Sequence, residues 1–404
     1  MSKRRTTLLT PEILADQYPV IAELRASEPV FWDDTIHGWL VFRHDDVKAL
    51  LSDSRYSRDR KMSPHYEAPP KGSWSERLDN ESFGGGSEKD HRLWRNRLSV
   101  GFTPRAVRRM ENQVREVVEQ FAAPIRASKG RADLVAEFTN PIPNTVISRI
   151  TGIPPYPGDE DRFRCLAQDV IRRFFPMADE ENKRRGEQAL DELAEWVGKL
   201  GDERRQSRQE DLISDLIHGN DGDYEMTNEE IVIIIATLVA AGSETTTLGG
   251  TNVLRLLLQN PQELAKLRQD PSLSVGAVRE SLRHSFGTAI SGVPRFALED
   301  IELRGKTIRK GDMVMPSTGG ANRDPSVFED PDRFDITRDT REMLAFGHGP
   351  HYCLGANLAL QEMSCMIEAA LPFMPEGTEL LEDEIEWESI GIMTRAMNLP
   401  ILRP

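Results

Sequence analysis

Toward its C-terminal end the chain reads Phe346-Gly347-His348-Gly349-Pro350-His351-Tyr352-Cys353-Leu354-Gly355. The segment sets one cysteine among glycines, directly before a helical pattern over residues 354–370. From average residue usage, these Phe, Gly, His and Cys positions arise by chance on the order of once in a million chains of this length. The loop is therefore the most informative stretch of the sequence.

The residue types in this loop suit a thiolate that binds a metal. Backbone N–H groups and the N-terminus of a following helix favour the charged form of a cysteine. Glycines permit positive φ angles and close approach to a flat cofactor, and Phe346 can shield the sulfur from water. The alternative is a buried structural cysteine, which is the usual fate of a lone Cys. We expect that alternative for Cys165 and Cys365, neither of which lies in a comparable glycine-containing loop.

The loop resembles the haem-ligand signature of cytochromes P450, and the resemblance extends from roughly residue 20 onward. It implies haem b as the cofactor, Cys353 as the iron ligand, and Phe346, Gly347 and Gly355 beside the haem. It also implies one haem domain over residues 1–404. The expected fold is mainly α with a small β region (α+β), with a long central helix that crosses the haem.

The periodicity of the chain agrees with an α+β fold, because helical patterns and alternating patterns occupy different regions. Helical patterns fill residues 91–287 and 354–371, whereas residues 28–43 and 288–316 indicate strands and hairpins. Residues 64–90 are rich in Pro, Gly and Ser, which predicts a long loop.

The long helix is expected to begin at Thr227. Thr227 and Glu230 have the spacing of a capping box, and the next break is Asn260-Pro261. A helix of roughly 32 residues would be about 48 Å long. It would therefore cross the whole molecule.

Composition excludes several classes of partner. A net charge of −15 repels a phosphate backbone, so we expect no nucleic-acid partner. The apolar run over residues 231–242 is too short to span a bilayer, and the basic start of the chain leads into no apolar signal-peptide region. Three cysteines form no disulfide framework. We expect a cytoplasmic protein, without a membrane partner, and a monomer.

Glu280 and Arg283 lie three residues apart and share one helix face. Glu181 and Arg184 have the same spacing, so a solvated surface pair is the alternative. By resemblance the first two match the Glu-x-x-Arg motif of the family. Arg333 would then complete a buried structural network with them.

Haem propionates are carboxylates that need cations or hydrogen-bond donors. His91 and Arg95 lie one helical turn apart and would present both groups on one side. The resemblance assigns cofactor contacts to His91 and Arg95, and also to Arg295 and His351. A satisfied surface or core histidine is the alternative for His91.

In the long helix, Glu244 and Thr245 interrupt an apolar run just after Gly242. Hydroxyls can bond to the carbonyl four residues back and glycine weakens a helix, so we expect a local opening. By resemblance the Glu244-Thr245 pair delivers protons for oxygen activation. The alternative is that these two polar residues are merely tolerated in a buried helix and have no functional role. Helical spacing would align Leu238 and Ala241 with Thr245 on one face over the haem, and the resemblance places Ala289, Ile290, Ile392 and Met393 in the substrate pocket as well. Ordinary core residues are the alternative for these apolar side chains.

The activity implied is that of a haem-thiolate monooxygenase, which inserts one oxygen atom from O2 into a hydrophobic small molecule and gives a hydroxylated product. A terpenoid, a steroid or a fatty-acid-like compound is expected as substrate, in a pocket shaped by residues 62–90 and 174–176. Electrons would come from a separate ferredoxin or flavodoxin with its reductase. The alternatives are a non-hydroxylating or peroxide-driven relative, against which the Glu244-Thr245 pair argues, and a haem-thiolate sensor without turnover.

A cluster of arginines is the expected docking surface for an acidic ferredoxin. Residues 91–110 contain no acidic side chain, although the chain as a whole is acidic. A solvated face is the alternative. The cluster consists of Arg92, Arg95, Arg97, Arg105, Arg108 and Arg109.

Overall fold

The computed structural model describes residues 6–63, 66–81, 88–156, 159, 161–172, 180–218, 225–286, 289–290, 292–390 and 393–404. The chain divides into two compact units. The first comprises residues 1–67, 252–356 and 387–395, and the second comprises residues 68–251, 357–386 and 396–404. The single domain predicted for residues 1–404 stays a prediction.

Helices make up most of the described secondary structure. The α-helices are α1 (Pro11–Ala15), α2 (Tyr18–Ser27), α3 (His44–Ser52), α4 (Trp74–Glu81), α5 (Glu88–Ser99), α6 (Pro104–Ala127), α7 (Pro141–Thr151), α8 (Arg162–Arg172), α9 (Glu180–Gln206), α10 (Leu212–His218), α11 (Asn228–Gln259), α12 (Pro261–Gln269), α13 (Ser274–His284), α14 (Thr318–Ala321) and α15 (Ala356–Ala370).

The strands are short, and most of them belong to the first unit. They are β1 (Val30–Asp33), β2 (Gly38–Val41), β3 (Tyr56–Ser57), β4 (Arg131–Asp133), β5 (Arg295–Ala297), β6 (Ile301–Leu303), β7 (Lys306–Ile308), β8 (Met313–Pro316), β9 (Glu379–Leu380), β10 (Trp387–Ile390), β11 (Met393–Ala396) and β12 (Pro400–Leu402).

A five-stranded sheet in the order β1-β2-β8-β5-β3 organises the first unit. The predicted N-terminal strand pair is confirmed, because β1 and β2 are antiparallel neighbours in this sheet. The predicted hairpin after residue 300 is also confirmed. Its turn residues Arg304 and Gly305 have φ angles of 51° and 74°, as a two-residue turn of the I′ type requires. The sheet buries Val41 and Val314 against Val47 and Leu50 of α3.

Helix α11 begins and ends as the sequence predicts. The Glu230 backbone N–H donates to Thr227 Oγ1 at 3.2 Å, and the Thr227 N–H donates to the Glu230 carboxylate at 3.0 Å, so the capping box is confirmed. Among the described residues α11 is the one helix long and apolar enough to cross a membrane, yet 72% of its most apolar window is buried in the protein. Such burial is typical of the core helix of a soluble protein.

The long loop predicted for residues 64–90 is wrong in part, because α4 occupies Trp74–Glu81 and α5 begins at Glu88. Leu78 of α4 is buried, and the Arg77 guanidinium lies 5.3 Å from the centre of the Trp74 ring. A helix this short is stabilised by packing rather than by its own propensity. Its sequence pattern is correspondingly weak.

Candidate functional site

The Cys353 loop folds back on itself in the first unit. The Cys353 backbone N–H donates to the Phe346 carbonyl at 2.9 Å, which closes the loop. Gly347 and Gly349 have φ angles of 75° and 72°, a region that side chains disfavour. A Cβ atom at Gly349 would lie 2.9 Å from Cβ of Ser52, so the chain also approaches α3 closely here. Glycine is therefore required at 349 on two grounds.

The loop presents an exposed sulfur beside a helix N-terminus. Cys353 is exposed, and α15 begins three residues later at Ala356. The positive end of the helix dipole favours the thiolate over the thiol. The Phe346 and Tyr352 rings lie edge to face with centres 6.3 Å apart, so aromatic side chains border the cysteine.

The contrast with Cys365 confirms the different expectation for that residue. Cys365 is buried in α15, and burial raises the pKa of its thiol to about 11. It therefore stays a protonated structural cysteine at neutral pH. Cys165 lies half-buried on α8.

The residues around Cys353 suit a metal that is already held by a macrocycle, and not a bare metal ion. Within the described ranges, no group of three or more His, Cys, Asp or Glu side chains is arranged to hold a bare metal ion. An accessible thiolate would instead supply a single protein ligand to the iron of a haem. A Cβ atom at Gly355 would meet no atom within 4 Å, so the backbone two residues after the cysteine is not covered by other side chains.

Cationic side chains lie near the same loop in the first unit. Arg58 donates from Nη1 to His351 Nδ1 at 2.8 Å. Arg295 is buried and donates to the Val293 carbonyl at 2.9 Å. Because β3 and β5 pair Ser57 with Phe296, the next step of that register sets Arg58 beside Arg295. Sequence reasoning missed Arg58, whose signal is the strand register and not a local motif.

His91 and Arg95, the other two predicted cofactor contacts, belong to α5 of the second unit. His91 is buried and Arg95 is half-buried. Their contact with a cofactor stays a prediction.

Glu280 and Arg283 form a buried ion pair, so the surface-pair alternative is wrong for them. Arg283 Nε and Nη2 donate to the two Glu280 carboxylate oxygens at 2.7 and 2.9 Å, and both side chains are 0% exposed. The Asp335 N–H donates to Glu280 Oε1 at 3.0 Å. The guanidinium of Arg338 completes the set, with Nε 3.1 Å from the same oxygen.

The prediction that Arg333 completes this network needs correction. Its side chain is 63% exposed and donates to the Asp335 carboxylate at 3.0 Å, away from Glu280. Only its backbone carbonyl takes part, as an acceptor for Arg338 at 3.0 Å. The chain has a left-handed residue at Asp330, with φ of 46°, and the Arg333 side chain forms a second surface contact with the Asp330 carboxylate at 3.5 Å. Arg338 was missed because no short spacing relates it to Glu280.

The acid and alcohol pair lies in an unbroken part of α11. The Thr245 hydroxyl donates to the Ala241 carbonyl at 2.6 Å, the bond to the fourth residue back that the sequence suggests. The backbone is α-helical throughout residues 241–247, so the predicted local opening is absent from this segment. Ala241 is exposed and Leu238 and Thr245 are half-buried, whereas Glu244 is buried. Spacings of three and four put Leu238, Ala241 and Thr245 on one accessible face.

The other predicted pocket residues divide into two groups. Ala289 and Ile290 are 1% exposed and pack into the core of the first unit with Ile21 and Leu40. Their role as substrate contacts stays a prediction. Ile392, the side chain of Met393 and residues 174–176 lie outside the described part of the chain.

The predicted arginine cluster is mostly at the surface of the second unit. Arg95 is half-buried, and the side chain of Arg97 lies outside the described residues. The exposed members are Arg92, Arg105, Arg108 and Arg109.

Comparison with known proteins gives consistent matches along the chain. The family model described as Cytochrome P450 matches residues 32–276 and 273–372. Nocardicin C N-oxygenase of Nocardia uniformis subsp. tsuyamanensis is 34% identical over 399 residues, with 96% of each chain covered. Mycinamicin IV hydroxylase/epoxidase of Micromonospora griseorubida is 32% identical over 401 residues, which cover 96% of this chain and 95% of the relative.

A solved structure agrees along nearly the whole length. It is P450BioI in complex with an acyl carrier protein ligated to hexadec-9Z-enoic acid. The TM-score is 0.87 at 31% identity, and the match covers 97% of this chain and 99% of that one.

Proposed function

The chain belongs to the cytochrome P450 family and is a monooxygenase that binds haem b, and we propose that Cys353 is the thiolate ligand of its haem. We also propose that its substrate is a long-chain acyl compound or a comparably large apolar molecule. The predicted family, fold class and cofactor are confirmed by these matches. The enzyme inserts one atom of O2 into a small molecule and receives its electrons from redox partners. The observation that carries the assignment of Cys353 is its exposure in a glycine loop ahead of α15.

The loop holds the sulfur in the form that binds iron. The hydrogen bond from the Cys353 N–H to the Phe346 carbonyl fixes the backbone of residues 346–353. The N-terminus of α15 stabilises the negative sulfur, and the Phe346 ring limits the approach of water. When haem is bound, its iron supplies dioxygen activation, with electron density from the thiolate that favours O–O cleavage.

Arg295, His351 and Arg58 are proposed to hold the haem propionates. Arg58 is added to the predicted set because its guanidinium is hydrogen-bonded to His351. A guanidinium keeps His351 Nδ1 as an acceptor, which leaves the Nε2 proton for donation to a carboxylate. His91 and Arg95 remain cofactor contacts that the family resemblance predicts.

Thr245 and Glu244 are proposed to hold and move a proton during turnover. The Thr245 hydroxyl is half-exposed on the accessible face of α11 and can exchange its Ala241 partner for a water. Glu244 is the adjacent acid and supplies protons to that hydroxyl. Hydroxylation is the proposed outcome, because this pair supports an oxygen-activating role rather than a peroxide-driven one.

The proposed substrate class draws on relatives. Two relatives are named for nocardicin C and mycinamicin IV, and the matched structure contains a hexadec-9Z-enoic acid chain on a carrier protein. The acyl chain in that structure supports a substrate with a long apolar part and favours the fatty-acid-like class over terpenoids and steroids. We further propose a cytoplasmic protein, in which Arg92, Arg105, Arg108 and Arg109 bind an acidic ferredoxin or flavodoxin.

The ligand assignment is tested by the reduced carbon monoxide complex. Cys353→Ala should abolish the red-shifted Soret band that a thiolate ligand gives. Cys165→Ala and Cys365→Ala serve as matched controls and should keep it. Loss of the band in a control variant together with its retention in Cys353→Ala would overturn the assignment.

The substrate class is tested by the low-to-high spin shift of the haem band. Saturated and unsaturated fatty acids of graded length are titrated beside steroids and terpenoids of similar size. A shift that tightens with acyl chain length supports the proposal. Tight binding of a steroid or terpenoid with no response to any acyl chain would overturn it.

A further inference from the structure

Helix α11 makes a buried polar contact on the side opposite to its accessible face. The Ser243 hydroxyl donates to the side-chain oxygen of Asn144, which lies on α7. Both side chains are nearly inaccessible, at 0% and 3% exposure. Positions two apart on an α-helix differ by about 200° in direction, so Ser243 points away from Ala241 and Thr245. Ser243 thus anchors the back of the segment whose front carries Thr245.

The Asn144 amide is itself fixed by further hydrogen bonds. Its Nδ2 donates to the Asn140 carbonyl at 2.9 Å, and Gln168 of α8 donates to the Asn140 side-chain oxygen at 3.4 Å. The Asn140 N–H closes a π-helical turn by donating to the Val135 carbonyl at 3.1 Å. With both ends of its amide bound, Asn144 presents its oxygen to Ser243 in one orientation.

A second contact joins the same segment to α11 eight residues further on. The Thr139 and Thr251 hydroxyls lie 2.6 Å apart, and both are buried. Next to the first contact, Cδ1 of Ile147 on α7 would lie 4.0 Å from a Cβ atom at Gly242, so α7 packs against α11 here. Residues 139–144 therefore hold α11 on either side of residues 244–247.

Apolar packing alone leaves a helix free to rotate or slide by small amounts, since dispersion contacts are not directional. A buried hydroxyl and amide are different, because either one left unpaired in an apolar interface is destabilising. The Ser243–Asn144 bond therefore favours one rotation of α11 over its neighbours. That rotation determines where Glu244 and Thr245 point.

We infer that Asn144, acting through Ser243, is a positioning residue for the Glu244-Thr245 pair. The inference rests on the proposed proton-handling role of that pair. Asn144 and Ser243 act through the orientation of α11 and not by touching the reacting atoms. Their contribution is to keep Thr245 in a geometry in which proton delivery is coupled to product formation, which small displacements impair.

The test compares Ser243→Ala, Asn144→Leu and their double variant as haem-loaded enzymes. Thr237→Val is the matched control, because its hydroxyl donates only within α11, to the Ile233 carbonyl at 2.7 Å. Ser243→Thr is the conservative variant that keeps the hydroxyl. Two measurements are made on each: product formed per NADH consumed, and hydrogen exchange of the backbone amides in residues 241–247.

Ser243→Ala and Asn144→Leu should each lower product per NADH by about two- to tenfold and release the balance as hydrogen peroxide. Amide exchange in residues 241–247 should rise by about two- to tenfold, as expected for one lost buried hydrogen bond. Asn144→Leu also removes the bond to the Asn140 carbonyl, so the double variant should be no worse than Asn144→Leu alone, in which the Ser243–Asn144 bond is already lost. Ser243→Thr should recover coupling, and Thr237→Val should behave as wild type.

Thr245→Ala, measured in parallel, separates the two levels of the proposal. Uncoupling by Thr245→Ala together with wild-type coupling and exchange in Ser243→Ala and Asn144→Leu would overturn the positioning role and leave the proposed function intact. Wild-type coupling in Thr245→Ala would overturn the proton-handling role, and the positioning inference with it.

Discussion

Replacing Arg338 by methionine separates a buried network from a surface ion pair. In the wild-type protein Arg338 Nε donates to Glu280 Oε1 at 3.1 Å, Nη1 donates to the Glu329 carbonyl at 2.5 Å, and Nη2 donates to the Arg333 carbonyl at 3.0 Å. The side chain is 9% exposed and Glu280 is 0% exposed. Methionine keeps much of the apolar volume but none of these donors.

Truncating one partner of a buried ion pair costs about 3–5 kcal/mol, because the other charge stays buried with less compensation. Glu280 keeps both hydrogen bonds from Arg283, so the lower end of that range, about 3 kcal/mol, is expected. For a chain of 404 residues, unfolding entropies of about 2.1 cal/mol/K per residue convert this loss to a fall in Tm of roughly 4 °C.

Arg333→Met is the matched control, five positions earlier in the chain. Its side chain is 63% exposed and pairs only with Asp330 and Asp335 at the surface. Exposed pairs contribute little, so a change within about 0.5 kcal/mol is expected. Thermal unfolding of both holoproteins is followed by circular dichroism, with haem content per protein measured in parallel. Equal losses, or a larger loss for Arg333→Met, would refute the assignment of Arg338 to the network.

Three further outcomes are expected. Thr245→Ala should retain substrate binding spectra and NADH consumption but lose product in favour of hydrogen peroxide, as measured by product per NADH; unchanged coupling would remove Thr245 from proton delivery. The Arg108→Ala, Arg109→Ala double variant should accept electrons from an acidic ferredoxin more slowly at low salt, because exposed charges act on association; a wild-type rate in stopped-flow reduction would contradict the docking surface. Burial, aided by Arg323, lowers the pKa of His284 to about 3, whereas an unfolded histidine has a pKa of about 6.5. As the pH falls, the unfolded state therefore takes up the proton before the folded state does. The free energy of unfolding should fall by up to about 1.4 kcal/mol per pH unit below about pH 6.5. His284→Gln should flatten that slope when unfolding midpoints are measured over a pH series.

Several features of this protein are determined by interactions between residues that are close together in the sequence. Thr227 and Glu230 cap α11 through contacts three residues apart, and the alternating residues before and after His37 form the β1–β2 pair. The Cys353 loop is equally local, since glycines at 347 and 349 supply the φ angles that close it. In each case the deciding interactions lie within a few positions, so the sequence carries them as a readable pattern.

Other features depend on which distant segments meet. Glu280 takes its second cationic partner, Arg338, from 58 positions away, whereas the Arg333 side chain lies at the surface. Ser243 is hydrogen-bonded to Asn144, which lies 99 positions away in the sequence, and His351 is hydrogen-bonded to Arg58, which lies 293 positions away. No spacing rule predicts such partners, because a buried charge or hydroxyl is satisfied by whichever donor or acceptor the folded chain brings within hydrogen-bonding distance. The sequence by itself determined the residue types that needed partners, and only the tertiary structure decided which residues those partners are.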